Sequence, residues 1–230
     1  MINAGKRIKK AQTALESASL DTTKKALEFV VKNASAKFDE SVDLCVVLGI
    51  DASKGEQTVR GSALLPHGTG KKIRVLAFAK GDKEQEAKDA GADFVGLDDL
   101  MEKIEGGWIG FDVAVATPDL MGKIGKLAKV LGPKGLLPNK KIGTVADDLA
   151  AIITDLKKGR VSFRNDKGGA VHAAFGKISF GADKLQENLI ALIKAVKLAK
   201  PASSKGKFIK KIVVSSSMGV GIALNPDEIA

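Results

Sequence analysis

The pattern of apolar residues changes twice along this 230-residue chain, and those two changes constrain the fold more than any other feature. Near the start, Asp21 is placed to cap a helix whose Ala26, Leu27, Val30 and Val31 share one face, and a shorter basic helix is predicted over 6–16. Val42, Leu44, Val46 and Leu48 then fall at every second position, which predicts a half-buried strand, and residues 57–65 predict another. From residue 71 the pattern is different. Nearly continuous apolar runs at 73–79, 93–96 and 111–117 alternate with helical stretches at 82–90, 97–105 and 118–130, the last opened by Pro118. That alternation predicts βαβ units around a parallel sheet.

After Lys157-Lys158-Gly159 the two-residue period returns, at Val161 and Phe163 and in paired strands over 170–180. Asp183 is placed to cap a helix whose Leu185, Leu189, Leu192, Ile193 and Val196 form one stripe, stopped by Pro201. Ile212-Val213-Val214 and a closing strand through Leu224 flank a serine-rich segment. The two ends are alike and the middle is not. The economical architecture is an α/β protein in which residues 1–68 and 160–230 form one discontinuous α+β domain, and 69–159 form an inserted Rossmann-like, three-layer α/β domain. Crossings at Gly68, Thr69 and Gly70 and at Gly159 would then make a hinge.

Composition narrows the function. A chain that is 44% hydrophobic holds enough apolar side chain for packed cores, and no uncharged apolar stretch approaches the ~20 residues of a membrane span. The basic residues near the start lead into no apolar run with a cleavage site, so no secretory signal and no membrane partner are expected. Cys45, alone, makes no internal disulfide, and the reducing cytoplasm is the simplest compartment. The net charge of +10 is unevenly held: 160–230 carry +7, while 1–68 carry +2 and 69–159 carry +1. Within the middle, 69–119 are acidic on balance and 120–159 basic. A basic face on an otherwise balanced protein is the footprint of a polyanion binder, although charge alone does not choose between RNA, DNA and membrane.

Catalytic patterns are missing. His67 and His172 are the only histidines, and with one cysteine they offer no zinc spacing, so neither metal nor cofactor is expected. There is no G-x-S-x-G elbow, and no cysteine stands near a histidine in sequence. Pro66-His67-Gly68-Thr69-Gly70-Lys71-Lys72 has the Gly-Lys of a phosphate loop, but Leu65 stands where the first glycine belongs and Lys72 where Ser or Thr belongs. After Ala79 the turn Lys80-Gly81-Asp82 lacks the second glycine of a dinucleotide fingerprint. A nucleotide enzyme built on Gly68 to Lys72, and a DNA-binding architectural protein, are the rival readings.

Three segments are suited to touch a polyanion. In Lys37-Phe38-Asp39-Glu40-Ser41 the ring can pack on a ribose or base while Lys37 meets phosphate, or it can cap the core. Arg164, Asn165, Asp166 and Lys167 surround a hairpin turn that is either a contact or only a turn. Ser215-Ser216-Ser217-Met218-Gly219 offers hydroxyls and a close backbone approach to a sugar-phosphate chain, or a strand bulge. With nine Phe, one Trp and no Tyr, a base-stripping aromatic platform is disfavoured, and backbone and shape recognition of folded RNA fits better.

These segments also carry a resemblance. Lys37-Phe38-Asp39-Glu40-Ser41-Val42, Gly49-Ile50-Asp51, Val59-Arg60-Gly61, Leu65-Pro66-His67-Gly68-Thr69-Gly70-Lys71, Gly91-Ala92-Asp93, Thr117-Pro118-Asp119-Leu120-Met121, Leu131-Gly132-Pro133-Lys134-Gly135-Leu136-Leu137-Pro138-Asn139, Phe163-Arg164-Asn165-Asp166-Lys167 and Ser217-Met218-Gly219 run in order. Over nearly its full length the chain resembles the bacterial ribosomal L-one family, whose members sit in the mobile side stalk of the large subunit.

The resemblance implies a non-enzymatic protein, monomeric outside the ribosome, whose discontinuous domain grips folded 23S rRNA. It also implies a part in releasing E-site tRNA and repression of its own operon through binding to its mRNA. The family's RNA-gripping positions correspond to Lys37, Phe38, Ser41, Asp166, Lys167, Ser217, Met218 and Gly219. Arg164, His172, Ser215 and Ser216 complete the expected RNA-binding set. Serines replace threonines common in the family at 215–217, and Lys134 and Leu137 replace Arg and Met in the Gly-Pro block.

Overall fold

The computed structural model describes residues 5–18, 20, 22–226 and 228. In chain order the elements of the first part are α1 (Lys6–Glu16), α2 (Thr23–Asn33), β1 (Ser41–Leu48) and β2 (Arg60–Leu64). The middle holds β3 (Val75–Phe78), α3 (Asp82–Asp89), β4 (Phe94–Gly96), α4 (Asp98–Glu105), β5 (Val113–Ala116), α5 (Met121–Ile124), α6 (Ala128–Leu131) and α7 (Leu149–Lys158). The last part holds β6 (Arg160–Arg164), β7 (Ala170–Lys177), α8 (Gly181–Leu198), β8 (Ile209–Ser216) and β9 (Ile222–Leu224). Contacts divide the chain into two compact units, Met1–Gly70 with Val161–Ala230, and Lys71–Arg160. No helix among the described residues is long and apolar enough to cross a membrane.

The unit built from both ends centres on a four-stranded antiparallel sheet in the order β7-β1-β8-β9. Alternation in β1 sends Val42, Leu44, Val46 and Leu48 inward and leaves Ser41, Asp43, Cys45 and Val47 on the other face. The inward side packs on α2, through Ala26, Leu27 and Val30, and on the Leu185, Leu189, Leu192, Ile193 and Val196 stripe of α8. A separate two-stranded sheet, β2 with β6, joins this core through Ala63 and Phe163. Gly61 lets the two strands pack closely there, since a Cβ would stand 3.0 Å from the Phe163 ring.

The inserted unit holds a three-stranded parallel sheet in the order β4-β3-β5. Its alternate residues feed two cores, one on each face. Leu76, Phe78, Ala114 and Ala116 join Ile104, Ile124, Leu127 and Leu131 on one side, while Val75, Ala77 and Val115 join Ala87, Leu149, Ile153 and Leu156 on the other. That is the three-layer arrangement. Asp112 organises the entry to β3: its Oδ2 accepts from the Arg74 backbone N–H at 3.1 Å and from Arg74 Nε at 3.2 Å, which holds its carboxyl below the ordinary value.

Several local expectations are corrected. Asp21 lies outside the described residues, and the side chain of Thr22 takes the cap, accepting from Lys25 N at 3.4 Å. Asp183 does not cap α8 but stands in its first turn, where a carboxylate suits the helix dipole and pairs with Lys24 at 2.6 Å. The strand expected over 57–65 begins only at Arg60, after a 3-10 turn at Gly55–Gln57. The single helix expected over 118–130 is broken into 3-10 and α segments, since Gly122 and Gly125 interrupt it with the weakest non-proline helix former. β7 ends at Lys177, and residues 178–180 form a 3-10 turn rather than more strand. α7 is a helix beyond those expected from the sequence: Asp148 caps it through Ala151 N at 3.0 Å, and Gly159, at φ 112°, ends it.

Candidate nucleic-acid interface

Pairing of β1 with β8 brings residues about 175 positions apart into one edge. Val42 is opposite Ser216 and Asp43 opposite Ser215, and the chain beyond β8 continues the ladder with Ser217 N donating to Ser41 O at 3.0 Å. The Ser217 hydroxyl accepts from Ser41 N at 3.1 Å and reaches Ser41 O at 3.3 Å. From the other side of β1, Lys177 Nζ donates to Ser41 Oγ at 3.0 Å and to Asp39 O at 3.1 Å. Ser41 and Ser217 are therefore locked together, and the turn that follows, closed by Gly219 N to Ser216 O at 3.1 Å, projects Met218 at 48% exposure. Phe38 projects beside the start of β1 at 58% exposure, so its ring does not cap the core.

The group that ties this edge together is Glu40, only 2% exposed. Its Oε2 accepts from Ser216 Oγ at 2.7 Å and from Met218 N at 3.0 Å, and its Oε1 accepts from Ala36 N at 3.1 Å. Burial pushes the Glu40 carboxyl up, but the Ser216 hydroxyl, the two backbone donors and the Arg7 charge together outweigh it and hold the pKa below the ordinary value. A buried carboxylate with three donors stays ionised and rigid. Arg7 of α1 also lies against the turn, with Nη2 3.4 Å from Met218 O. Glycine at 219 is a consequence of this packing, because a Cβ there would stand 2.5 Å from Ser216 Oγ.

Away from this edge, the open face of the sheet is floored by small side chains. The row Ala174–Asp43–Ser215 is followed by His172–Cys45–Val213–Ala223 and then Ala170–Val47–Lys211. A shallow depression on it is lined by Asp43, Cys45, His172, Ala174 and Ser215. Beside the depression, the turn between β6 and β7 is built on Asp166, whose N donates to Ala170 O and whose Oδ1 accepts from Ala170 N, both at 2.8 Å. The Ala170 backbone donor is the main cause that holds the Asp166 pKa below its ordinary value. His172 Nε2 lies 3.5 Å from Asp166 Oδ2. Arg164 and Lys167 are exposed at this turn, while Asn165 is buried and bonds Val59 N at 2.8 Å.

Of the twelve residues expected to bind RNA, the fold gathers Phe38, Ser41, Ser217, Met218 and Gly219 at one edge, with exposed Lys37 in the adjoining bend. Ser215 and His172 lie on the open face, and Arg164, Asp166 and Lys167 at the hairpin turn. Ser216 is different. It is 5% exposed and points into the protein, because strand alternation turns it away from its neighbours and its hydroxyl is spent on Glu40. Glu40 and Lys177 are the positioning residues that the sequence did not disclose; a charged residue preceding a strand is no signal of a buried carboxylate.

Gly68, Thr69 and Gly70 lie where the chain leaves the first unit, and Gly159 where it returns. Gly68, Gly70 and Gly159 all hold positive φ. The phosphate-loop resemblance at 66–72 does not survive, since Asn188, fully buried, takes His67 N at 3.0 Å and donates to Gly68 O at 2.9 Å and Phe175 O at 2.8 Å. Cys45 and His172, far apart in sequence, are in register across the sheet, but burial pushes the thiol up, away from a nucleophile's range. No group of three or more His, Cys, Asp or Glu residues among the described ones is arranged to hold a metal ion.

A family model described as the ribosomal protein L1p/L10e family matches residues 30–220. The large ribosomal subunit protein uL1 of Desulfosudis oleivorans is 52% identical over 226 residues, covering 98% of this chain and 97% of that protein.

Proposed function

The chain belongs to the ribosomal protein L1p/L10e family, and from that premise we propose that its end-built unit grips folded 23S rRNA in the side stalk through the edge carrying Phe38, Ser41, Ser217 and Met218. The protein is a structural, non-enzymatic constituent of the large ribosomal subunit that binds rRNA, and its place is the ribosome in the cytoplasm. The observation that carries the finer reading is the buried Glu40 node. It holds Ser216, Met218 and Ala36 in one geometry, so that an exposed methionine and an exposed phenylalanine flank two locked serines. A surface organised before binding loses little freedom on association. Ribose hydroxyls and backbone atoms are the groups that such small, fixed hydroxyls and exposed carbonyls suit, while the surrounding Lys and Arg supply phosphate contacts that position the RNA.

The same edge would bind the mRNA of its own operon, if that mRNA presents the same folded shape, and so repress translation. Two RNAs that compete for one site give feedback without a second surface. Release of E-site tRNA is assigned to the inserted unit, whose basic residues between 120 and 159 include exposed Lys126, Lys129, Lys134, Lys140 and Lys141. Gly68, Thr69, Gly70 and Gly159 would serve as its hinge, and the protein would be a monomer when off the ribosome.

The test is filter binding of side-stalk rRNA against a base-paired RNA of equal length across a salt series, with wild type and Met218→Asp. Wild type should keep a large preference for the stalk RNA at 200 mM salt, where nonspecific phosphate binding has fallen by ~10³–10⁵ from its value at 50 mM. Met218→Asp should lose that preference with its fold intact, because the side chain is exposed. An undiminished preference in Met218→Asp overturns the site.

A further inference from the structure

Residues 194–211 contain seven lysines and no acidic residue, a run that the edge around Met218 does not use. β8 carries the end of this run onto the sheet. Lys211 is opposite Val47, and alternation places it on the same open face as Val213, Ser215 and, beyond the strand, Ser217. Its position six residues from Ser217 puts it about 20 Å along the face, too far for both to meet one nucleotide. Cys45, in the middle of that face, is opposite Val213, so Lys211 lies one row beyond it.

Lys210 stands at the same end. Gly49 N donates to Phe208 O at 2.6 Å, and the close approach of these segments leaves Lys210 Cε 3.4 Å from where a Cβ on Gly49 would lie. Lys210 and Lys211 are both exposed, and neither has an ion-pair partner among the described residues. Between this basic end and the Met218 edge, the floor holds nothing larger than a histidine. Two exposed lysines at the far end of such a floor suit the phosphates of a polyanionic chain.

We propose that Lys210 and Lys211, at the end of the four-stranded sheet opposite Met218, form a second anchor that grips phosphates of the bound RNA. The anchor rests on the RNA-binding reading of the Met218 edge and extends it. The division of labour is physical. Lysine offers a strongly hydrated point charge that neutralises phosphate without reading structure, whereas the Ser41, Ser217 and Met218 edge makes short-range contacts. The lysine end therefore sets affinity and its salt dependence, and the Met218 edge sets preference.

The experiment uses the full chain with Lys210→Gln/Lys211→Gln, Lys210→Arg/Lys211→Arg and Met218→Asp. Each is bound to the side-stalk RNA and to the equal-length base-paired RNA from 50 to 300 mM salt, with circular dichroism to confirm the fold. Loss of two phosphate contacts should flatten the slope of log K against log salt by about 1.4–1.8 and weaken binding on the order of 30-fold near 100 mM salt. The glutamine variant should keep its preference between the two RNAs, and the arginine variant should restore the slope. An unchanged slope in the glutamine variant overturns the anchor, as does a flattened slope that arginine fails to restore. If Met218→Asp keeps the preference, the underlying reading of the edge fails instead. Loss of preference in Met218→Asp with a normal slope in the glutamine variant removes the anchor alone.

Discussion

Replacing Glu40 by Gln tests the node on which the interface is built. The carboxylate accepts three hydrogen bonds through two oxygens: Ser216 Oγ and Met218 N on one, Ala36 N on the other. A glutamine can turn its oxygen to only one side. Facing Ser216 and Met218, it sets its NH₂ against the Ala36 N–H, donor against donor, and the two bonds that remain become neutral ones. An orphaned donor costs about 1–3 kcal/mol, and each charge-assisted bond made neutral loses about 1 kcal/mol. The sum is about 3–5 kcal/mol at pH 7.

The loss must depend on pH. The folded pKa of Glu40 is lowered, so its contribution is complete above the unfolded value, which is 4.5 for the free group, and falls away as the pH drops through the folded pKa. Wild type and Glu40→Gln should therefore converge in stability between pH 4.5 and strong acid, with the wild type falling toward the variant. Urea unfolding at pH 7 and at successive pH values below 4.5 reads this, with circular dichroism reporting the whole chain. Trp108, the only tryptophan, lies in the inserted unit, and its fluorescence should respond less than the dichroism does. In RNA binding, preference for the stalk RNA should fall with the salt slope unchanged, since no phosphate contact is lost. A destabilisation below about 0.5 kcal/mol at pH 7, or one of full size at pH 3, refutes the reasoning.

Phe38→Ala removes a ring that is 58% exposed, so thermal stability should change by no more than about 0.5 kcal/mol. Binding to the stalk RNA should nevertheless weaken by about 1–3 kcal/mol if the ring packs on a base; equal affinities in filter binding would remove Phe38 from the interface. Asn188→Leu leaves His67 N, Gly68 O and Phe175 O without their partner inside an apolar helix face, and should cost about 3 kcal/mol in urea unfolding. A loss under 1 kcal/mol would show that the 67–68 segment finds other partners.

Much of the architecture is local and therefore legible in one dimension. The two-residue period of β1 and β8, the stripe of α8 and the strand–helix alternation from 73 to 117 each reflect a face that must be buried, and the fold obeys them. α7 is as legible, with Asp148 before Leu149-Ala150-Ala151-Ile152-Ile153 and Gly159 after it. Over 118–130 the apolar period favours one helix, and Gly122 and Gly125 break it into short segments.

The site divides along the same line. Its ingredients stand in the sequence: an exposed-type Lys-Phe pair, a serine-rich end with Met218 and Gly219, and a surplus of lysine after residue 160. Which of three consecutive serines faces outward is not there, because that depends on β8 pairing with β1, whose partner residues are about 175 positions away. The same pairing buries Glu40, an acidic residue that by type belongs at the surface, and gives it donors from 36, 216 and 218. Periodicity is a property of neighbours along the chain and is written into the sequence. Hydrogen-bond partnership between the two ends of the chain arises only when the sheet closes, and the tertiary structure alone decided it.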